Sequence, residues 1–291
     1  MERRKLRDVI ATFLIFVVSL ISLVVLAMIV YDIFSKGIIA FREVGFTNII
    51  LGKKYYPTMD PPSFGIFNFI VSSIFVTIGS ILVGLPLGVG SALFLSEYAD
   101  LKTKELLKPF IEILSSIPSV IFGFIGVVLI APFVRRFFNI PTGLNLFTSS
   151  FILGIVIVPI ISSLTEDALL TVPLTLKEAS YALGGTKFDT ITKVVIPYTK
   201  GALISALLLG VGRSIGETMI VLMVAGGAMN FPNSIFSPVR PLTATIAAEM
   251  GETAVGTPHF YVLYAIAVVL LFLTLILTLI SNHFIKNLKR D

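Results

Sequence analysis

The sequence contains no cysteine, and Asp, Glu, Lys and Arg together make up only 13% of its 291 residues. The absence of cysteine excludes a disulfide framework, a thiolate metal site and a cysteine nucleophile. The scarcity of charge accompanies 56% hydrophobic residues and a mean hydropathy of +0.98, far from the average composition of a soluble domain. The composition therefore predicts an integral membrane protein, and the length suffices for one polytopic domain.

A phosphate-binding loop of the type that holds ATP is also missing. The pattern G-x-x-x-x-G-K-[ST] does not occur, because the glycine-rich run at residues 84–90 has no lysine and lies inside an apolar stretch. We therefore expect this chain not to hydrolyse ATP and to carry no catalytic residues, cofactor or metal. The two histidines, His259 and His283, stand near the ends of the last apolar stretch, where we expect interfacial positions.

Six apolar stretches are long enough to cross a hydrocarbon core of about 30 Å. The first follows a basic segment at residues 3–7 but lacks a small-residue cleavage site, which predicts an uncleaved helix. Pro118 and Pro159 predict kinks in the third and fourth. The predicted fold is an all-α integral membrane bundle with transmembrane helices at residues 9–31, 67–95, 110–134, 147–164, 201–225 and 259–284.

The distribution of Lys and Arg predicts the orientation of the bundle. With the N-terminus inside, the inner segments hold 14 of these residues: segments 1–8, 96–109, 165–200 and 285–291. The outer segments hold 7, and they are residues 32–66, 135–146 and 226–258. This excess predicts that both termini are cytoplasmic. It also accounts for the net charge of +5, so no nucleic-acid partner is expected.

Two charged residues stand inside the fifth stretch. A rise of about 1.5 Å per residue puts Arg213 roughly 18 Å into a core about 30 Å thick. A central charge costs on the order of 3 kcal/mol, so it usually faces a protected interior or an aqueous path. Glu217 lies four residues further, on the same face of a helix. Two interpretations remain open: an ion pair that fixes helix packing, or a substrate path formed by Arg213, Ser214, Glu217 and Thr218.

The inner loop at residues 165–200 carries two helix-start patterns. T-x-x-E at residues 175–178 predicts a capping box and a short helix, which the glycine pair beginning at Gly184 ends. T-x-x-D at residues 186–189 predicts a second helix that ends near Ile196, before a proline. Such a capped hairpin is either a knob that enters a groove on a partner or an ordinary hairpin on the lipid headgroups.

The residues of this loop resemble those of a known family. Glu178-Ala179-Ser180, followed by Gly184 and by Ile196-Pro197, resembles the cytoplasmic EAA loop of ABC importer permeases. Ser180 stands where the family consensus has alanine. In that family the loop forms a coupling helix that docks into the ATP-hydrolysing subunit. The resemblance implies that the residues of this chain that contact the ATPase are Glu178, Ala179, Ser180, Tyr181 and Gly184.

Further segments resemble the permeases of phosphate importers. LGVGRSIGETM at residues 209–219 is similar to their G-R-x-x-G-E-T segment, while IPSVIFG at 117–123 and TATIAAE at 243–249 resemble the PstC type of permease more than PstA. The resemblance covers roughly residues 65–285. It implies a type I ABC importer permease in the inner (plasma) membrane. The implied partners are inorganic phosphate, a second homologous permease, a cytoplasmic ATPase dimer and an external phosphate-binding protein.

This resemblance implies phosphate transport by alternating access. We assign Arg213 as the charge that attracts the oxyanion, because a guanidinium suits bidentate contact. Glu217 either pairs with Arg213 when the path is empty or accepts a hydrogen bond from a protonated phosphate. The alternatives are a permease for sulfate or molybdate, a membrane-embedded enzyme with Glu217 as a general base, and a passive channel.

Overall fold

The computed structural model describes the backbone of residues 2–288 and the side chains of residues 11–280. The predicted cytoplasmic ends, at residues 1–8 and 285–291, and His283 lie outside the described side chains. The described chain is mostly helical. It also contains a two-stranded antiparallel hairpin in which β1 (Tyr55–Tyr56) pairs with β2 (Ser63–Phe64).

In the described residues, four π-helical turns interrupt or extend the helices. These turns are Phe41–Gly45, Phe94–Tyr98, Gly126–Ile130 and Ile191–Val195. In chain order the helices are α1 (Glu2–Ala40), α2 (Phe46–Leu51), α3 (Phe67–Leu93), α4 (Leu101–Ser116), α5 (Ser119–Ile125), α6 (Ala131–Phe137), α7 (Leu146–Leu170), α8 (Leu174–Ala182), α9 (Lys187–Thr190), α10 (Ile196–Ile215), α11 (Met219–Val224), α12 (Leu242–Glu249) and α13 (Pro258–Leu288).

Among the described residues, six helical stretches are long and apolar enough to cross a membrane, which confirms the predicted six-helix membrane bundle. Each corresponds to one of the predicted apolar stretches, although several bounds differ. Which loops lie on which side of the membrane stays a prediction. The six stretches are Ala11–Leu51, Phe67–Tyr98, Ser119–Phe137, Leu146–Leu170, Lys187–Ile215 and Pro258–Ile280.

The first span is longer than the sequence predicted, because the helix continues well past Tyr31 into the predicted external loop. Two contacts support the extension. Asp32 and Lys36 form an ion pair of 2.8 Å one helical turn apart, a spacing that stabilises helices. Gly37 allows close approach to α13, since a Cβ atom there would lie 2.7 Å from Val268 Cγ2. Packing on α13 thus keeps the extension helical.

The third span begins later than predicted, because the chain breaks rather than kinks at Pro118. Helix α4 ends at Ser116, and α5 starts at Ser119. Ile117 and Pro118 have extended backbones, with ψ angles of 127° and 138°. The ring of a proline disfavours helical angles at the residue before it, so residues 110–116 belong to a separate helix.

Helix α4 is fixed to the end of α7 by charge. Glu166 of α7 is buried, with 4% of its side chain exposed, and its Oε1 lies 3.1 Å from Lys104 Nζ and 3.3 Å from Lys108 Nζ. A buried carboxylate is costly unless it is paired, and two lysines from α4 provide that compensation. The contact ties the segment before the third span to the fourth span.

Helices α3 and α7 make the most extensive contact in the bundle. Their approach depends on small residues: a Cβ atom added to Gly84 would lie 2.7 Å from the carbonyl oxygen of Gly154, and one added to Gly154 would lie 2.7 Å from Val83 Cβ. Within lipid, such close backbone approach is a main source of helix association. The α3–α7 seam is therefore the frame on which the other spans pack.

At the end of the bundle that carries the β-hairpin, Glu249 joins three elements. Its carboxylate accepts hydrogen bonds from Arg240 Nη1 at 2.6 Å and from Tyr55 Oη at 2.6 Å, and it lies 2.9 Å from His259 Nε2. Burial and the bond to Glu249 raise the pKa of Tyr55 far above its usual value, so its hydroxyl remains a donor. These contacts hold the C-terminal end of α12 between the β-hairpin and α13.

The seam generates a stability prediction. Gly84→Ala is expected to lower the free energy of unfolding by about 1–3 kcal/mol, because the added methyl overpacks the α3–α7 contact. SDS-induced unfolding of the purified chain, followed by circular dichroism, measures this change. The matched control is Gly90→Ala, where a Cβ atom meets nothing within 4 Å and no loss is expected. Equal stability of the two variants would contradict the packing argument.

Candidate functional site

The fifth span is broken at the position of the two intramembrane charges. Helix α10 ends at Ile215 and α11 begins at Met219, so the single helix predicted over residues 201–225 is not formed. In a continuous helix the Met219 N–H would donate to the carbonyl of Ile215. Here it donates to the carboxylate of Glu217 instead. The acidic side chain thus replaces the backbone acceptor and stabilises the interruption.

Glu217 is the buried member of the pair. Its Oε1 accepts hydrogen bonds from the backbone N–H groups of Met219, at 3.2 Å, and Ile220, at 3.4 Å. Only 3% of its side chain is exposed. A buried carboxylate requires such compensation, and charge-assisted bonds to backbone amides are among the stronger hydrogen bonds. Glu217 therefore caps the second half of the broken span, a role that the sequence did not suggest.

Arg213 lies beside Glu217 but faces outward. Its Nη2 is 3.4 Å from Glu217 Oε2, while 45% of its side chain remains exposed. A rise of about 1.5 Å per residue places it about 20 Å beyond Lys200 along α10. A Cβ atom on the neighbouring Gly212 would meet nothing within 4 Å. The guanidinium is therefore presented on an open face of the bundle, in the last turn of α10.

The other two predicted path residues each form a hydrogen bond within the protein. Ser214 is buried, and its Oγ lies 2.8 Å from Ser80 Oγ of α3. Thr218 Oγ1 donates to the carbonyl of Gly216 at 3.3 Å. The structure thus joins Arg213 to Glu217, turns Ser214 toward the second span, and leaves Thr218 in the break. A path through these residues stays a prediction.

Thr243 completes the broken segment, and the sequence analysis missed it. Its Oγ1 donates to the backbone carbonyl of Glu217 at 2.7 Å, and the residue is buried. Thr243 belongs to α12, whose far end is held by Glu249. In the sequence, the TATIAAE segment at residues 243–249 is marked by its family resemblance. Nothing in its spacing indicated contact with a residue on another span.

The inner knob, residues 174–190, begins differently from the prediction. Helix α8 starts at Leu174 after Pro173, and no side chain caps it, so the capping box predicted at residues 175–178 is not formed. Pro173 supplies a fixed φ of −59° just before the first turn, which favours an earlier start. The capping box of α9 is formed, with Thr186 and Asp189 bonded reciprocally.

The second knob helix does not end near Ile196. It passes through the π-helical turn Ile191–Val195 and continues as α10 to Ile215. Pro197 stands in the first turn of α10, directly after this turn. A π-helical turn changes the backbone hydrogen-bond pattern where proline removes a donor, so the proline is accommodated. The knob and the fifth span are consequently one helical rod.

The predicted coupling residues form the tip of the knob. Glu178, Ala179, Tyr181 and Gly184 are exposed, whereas Ser180 is half-buried because its Oγ lies 2.9 Å from Thr190 Oγ1. Gly184 has a φ of +81°, the left-handed conformation in which glycine commonly ends a helix. The neighbouring Leu183 leaves 91% of its side chain exposed. The tip therefore displays apolar and acidic groups that no described residue covers.

Comparison with known families assigns this architecture. Residues 84–291 match the family described as Binding-protein-dependent transport system inner membrane component. The chain belongs to that family. It is a multi-pass membrane permease, and the family match includes the knob and the broken fifth span.

Similar proteins cover nearly the whole chain. The probable ABC transporter permease protein YqgH of Bacillus subtilis is 34% identical over 97% of this chain and 92% of its own length. The phosphate transport system permease protein PstC of Mesorhizobium japonicum is 31% identical over 93% of this chain and 87% of its own length. PstC of Pasteurella multocida is 33% identical over 66% of both chains.

Solved structures share the fold at low identity. An inward-facing MetNI methionine ABC transporter chain matches 77% of this chain and 94% of its own length, with a TM-score of 0.56 and 23% identity. A bacterial ABC transporter involved in the import of the acidic polysaccharide alginate matches 98% of this chain and 99% of its own length, with a TM-score of 0.68 and 14% identity. This confirms the fold of type I ABC importer permeases.

The contact from Thr243 yields a prediction. Thr243→Val is expected to lower the free energy of unfolding by about 1–3 kcal/mol, because it leaves the buried carbonyl of Glu217 without its donor. The control is Thr245→Val on the same helix. Thr245 Oγ1 donates to the carbonyl of Pro241, which also accepts the Thr245 N–H, so a small change is expected. SDS-induced unfolding compares the two, and an equal loss would contradict the assignment.

Proposed function

We propose that this chain is the permease subunit of an ATP-driven phosphate importer. The observation that carries the proposal is the arrangement of the broken fifth span. Glu217 is held by backbone amides, while 45% of the Arg213 side chain is exposed at a position that the sequence predicts to lie near the middle of the membrane. An exposed cation at that depth is costly in lipid. A contact surface with a second permease that admits an anion provides the environment that this cation needs.

The chemistry of Arg213 suits an oxyanion. A guanidinium presents five N–H donors in a planar fork that matches phosphate geometry. The contact with Glu217 is 3.4 Å and involves Nη2, which leaves other donors free for a ligand. Glu217 reduces the cost of the empty state by balancing the charge. Because its Oε1 is committed to α11, we favour this pairing role over direct contact with phosphate.

The relatives support phosphate as the substrate. Several are named phosphate transport system permease protein PstC, and two of them are 31% and 33% identical to this chain. The segment that carries Arg213 and Glu217 is also the one that resembles phosphate permeases. Sulfate and molybdate are the competing substrates, since both are oxyanions that a guanidinium binds.

The knob supplies the connection to a separate ATPase. Its exposed tip includes Glu178, Tyr181 and Leu183, groups that fit a cleft on a partner. It is continuous with α10, so closure of an ATPase dimer at the tip would move the rod that carries Arg213. Alternating access follows if a second permease closes the open face. An external phosphate-binding protein would then deliver the anion from the other side.

Reconstitution in liposomes tests the proposal. The complex contains this chain, its second permease, the ATPase and the loaded binding protein, and the measurement is phosphate uptake together with ATP hydrolysis. We expect uptake that requires ATP and is insensitive to excess sulfate or molybdate. Uptake without the ATPase would indicate a passive channel. Competition by sulfate or molybdate would reassign the substrate.

Arg213→Gln is expected to reduce the rate of phosphate uptake about tenfold to a hundredfold, since a hydrogen bond to a charged group contributes roughly 1.5–3 kcal/mol. Arg213→Lys keeps the charge without the fork, so an intermediate rate is expected. Arg136→Gln, which alters an exposed arginine near the end of α6, is the control and should transport normally. Normal uptake by Arg213→Gln would overturn the assignment.

Two substitutions separate the roles of Glu217. Glutamine keeps an oxygen that accepts the Met219 N–H, whereas alanine removes it. If Glu217 acts by capping α11, Glu217→Gln retains more phosphate uptake than Glu217→Ala and leaves selectivity against sulfate unchanged. If it instead contacts protonated phosphate, Glu217→Gln will admit sulfate. Uptake of the two labelled anions by each variant distinguishes these outcomes.

A further inference from the structure

We propose that Glu97 and Tyr98, at the end of the second span, receive the motion of the knob and pass it to α3. The inference rests on the proposed function, because it assumes that an ATPase drives the knob. It concerns how motion of the knob is transmitted to the transmembrane helices. The knob is covalently continuous with α10, and it also makes an ion pair and a cation–π contact with these two neighbouring residues of another span.

The first contact is a long-range ion pair. Lys177 Nζ of α8 lies 2.6 Å from Glu97 Oε1, and only 17% and 8% of the two side chains are exposed. A second pair of equal length joins Asp189, at the end of the knob, to Lys193 in the following π-helical turn, but it links neighbouring turns and leaves 35% and 75% of the two side chains exposed. Exposed pairs contribute little, whereas breaking a buried pair leaves an uncompensated charge. The Lys177–Glu97 pair is therefore the one suited to hold the knob.

The second contact lies directly beside the first. Lys187 Nζ, at the start of α9, is 4.5 Å from the centre of the Tyr98 ring, within the range of a cation–π interaction. Each knob helix thus sends one lysine to one of two consecutive residues. Ser180 and Thr190 join the two knob helices through their hydroxyls. Two contact points fix the orientation of the knob as well as its position.

The two residues that the knob contacts belong to the α3–α7 frame of the bundle. Glu97 and Tyr98 lie in the π-helical turn that extends α3, and α3 packs along α7 through the glycine seam. Further along α3, Ser80 lies 2.8 Å from Ser214, the residue next to Arg213. At about 1.5 Å per residue, Glu97 and Ser80 are roughly 25 Å apart along the helix. Span two therefore touches both the knob and the Arg213 segment.

This arrangement has a mechanical consequence. Displacement of the knob moves α10 through the chain and α3 through the Lys177–Glu97 pair, so both spans shift together. Without the pair, α10 moves while α3 stays with α7, and the register between Ser80 and Ser214 is lost. ATP hydrolysis then continues, but less of it is converted into transport. A pair that served only to stabilise the fold would leave the ratio of transport to hydrolysis unchanged.

Charge reversal tests this directly, because a physical path requires a measured coupling rather than proximity. In the reconstituted complex we compare Glu97→Lys, Lys177→Glu and the double variant with wild type, and measure phosphate transported per ATP hydrolysed. Each single variant is expected to show a roughly tenfold lower ratio, within the range of coupling between contacting residues. The double variant restores the opposite charges, so its ratio should return to within about twofold of wild type.

Controls separate coupling from folding and assembly. Lys193→Gln removes the lysine of the exposed Asp189–Lys193 pair, just after the knob, and should leave the ratio unchanged. Glu97→Gln, a nearly isosteric change, is expected to lower the ratio and replaces Glu97→Lys if the reversed charge prevents folding. Co-purification with the ATPase, expected for every variant, shows that a lowered ratio does not reflect loss of the partner.

The outcomes distinguish this inference from the proposed function. If wild type transports phosphate and the single variants keep its ratio, the inference is wrong while the function stands. A double variant as defective as the singles also overturns it, because the charge pair would not be the operative contact. If wild type neither binds the ATPase nor takes up phosphate, both proposals fail.

Discussion

The compensation of one buried carboxylate organises the centre of this membrane bundle. Glu217 is enclosed by apolar helices, and it accepts hydrogen bonds from the Met219 and Ile220 amides that the helix break makes available. A continuous helix would use those amides internally and leave the carboxylate with the Arg213 contact alone. The break and the charge therefore require each other. Because Glu217 is held in this way, Arg213 remains free to face the open side.

A rigid frame surrounds this centre. Helices α3 and α7 approach closely because Gly84 and Gly154 present no side chains at their contact. Thr243 of α12 fixes the carbonyl of Glu217 from one direction, and Ser80 of α3 contacts Ser214 from another. The side of the break opposite the exposed Arg213 is thus packed against α3 and α12. An exposed Arg213 beside a buried Glu217 and Ser214 suits a site in which one charged group must stay accessible while its neighbours stay fixed.

The sequence predicted the elements that depend on local chemistry. Six apolar stretches, the helix start at Thr186 and the glycine end of the first knob helix each follow from residues close together in the chain. Predictions failed where packing on a distant helix, or a side chain that competes for backbone hydrogen bonds, outweighs the pattern of hydropathy. Packing on α13 extends the first span, and the carboxylate of Glu217 ends a helix that hydropathy alone would continue. The prediction at Pro118 was partly right, since the proline indicated a bend, whereas the extended backbone there breaks the helix completely.

The sequence by itself determined that this protein lies in a membrane, that two opposite charges stand deep inside one span, and that a hairpin resembling the coupling loop of importers projects from it. These features depend on composition and short spacing. Only the tertiary structure decided that Glu217 caps a half-helix, that Thr243 and Ser80 support it, and that Lys177 reaches Glu97. The contacts of Thr243, Ser80 and Lys177 join residues far apart in the chain, and hydrophobic periodicity specifies which face of a helix is buried without specifying which partner covers it.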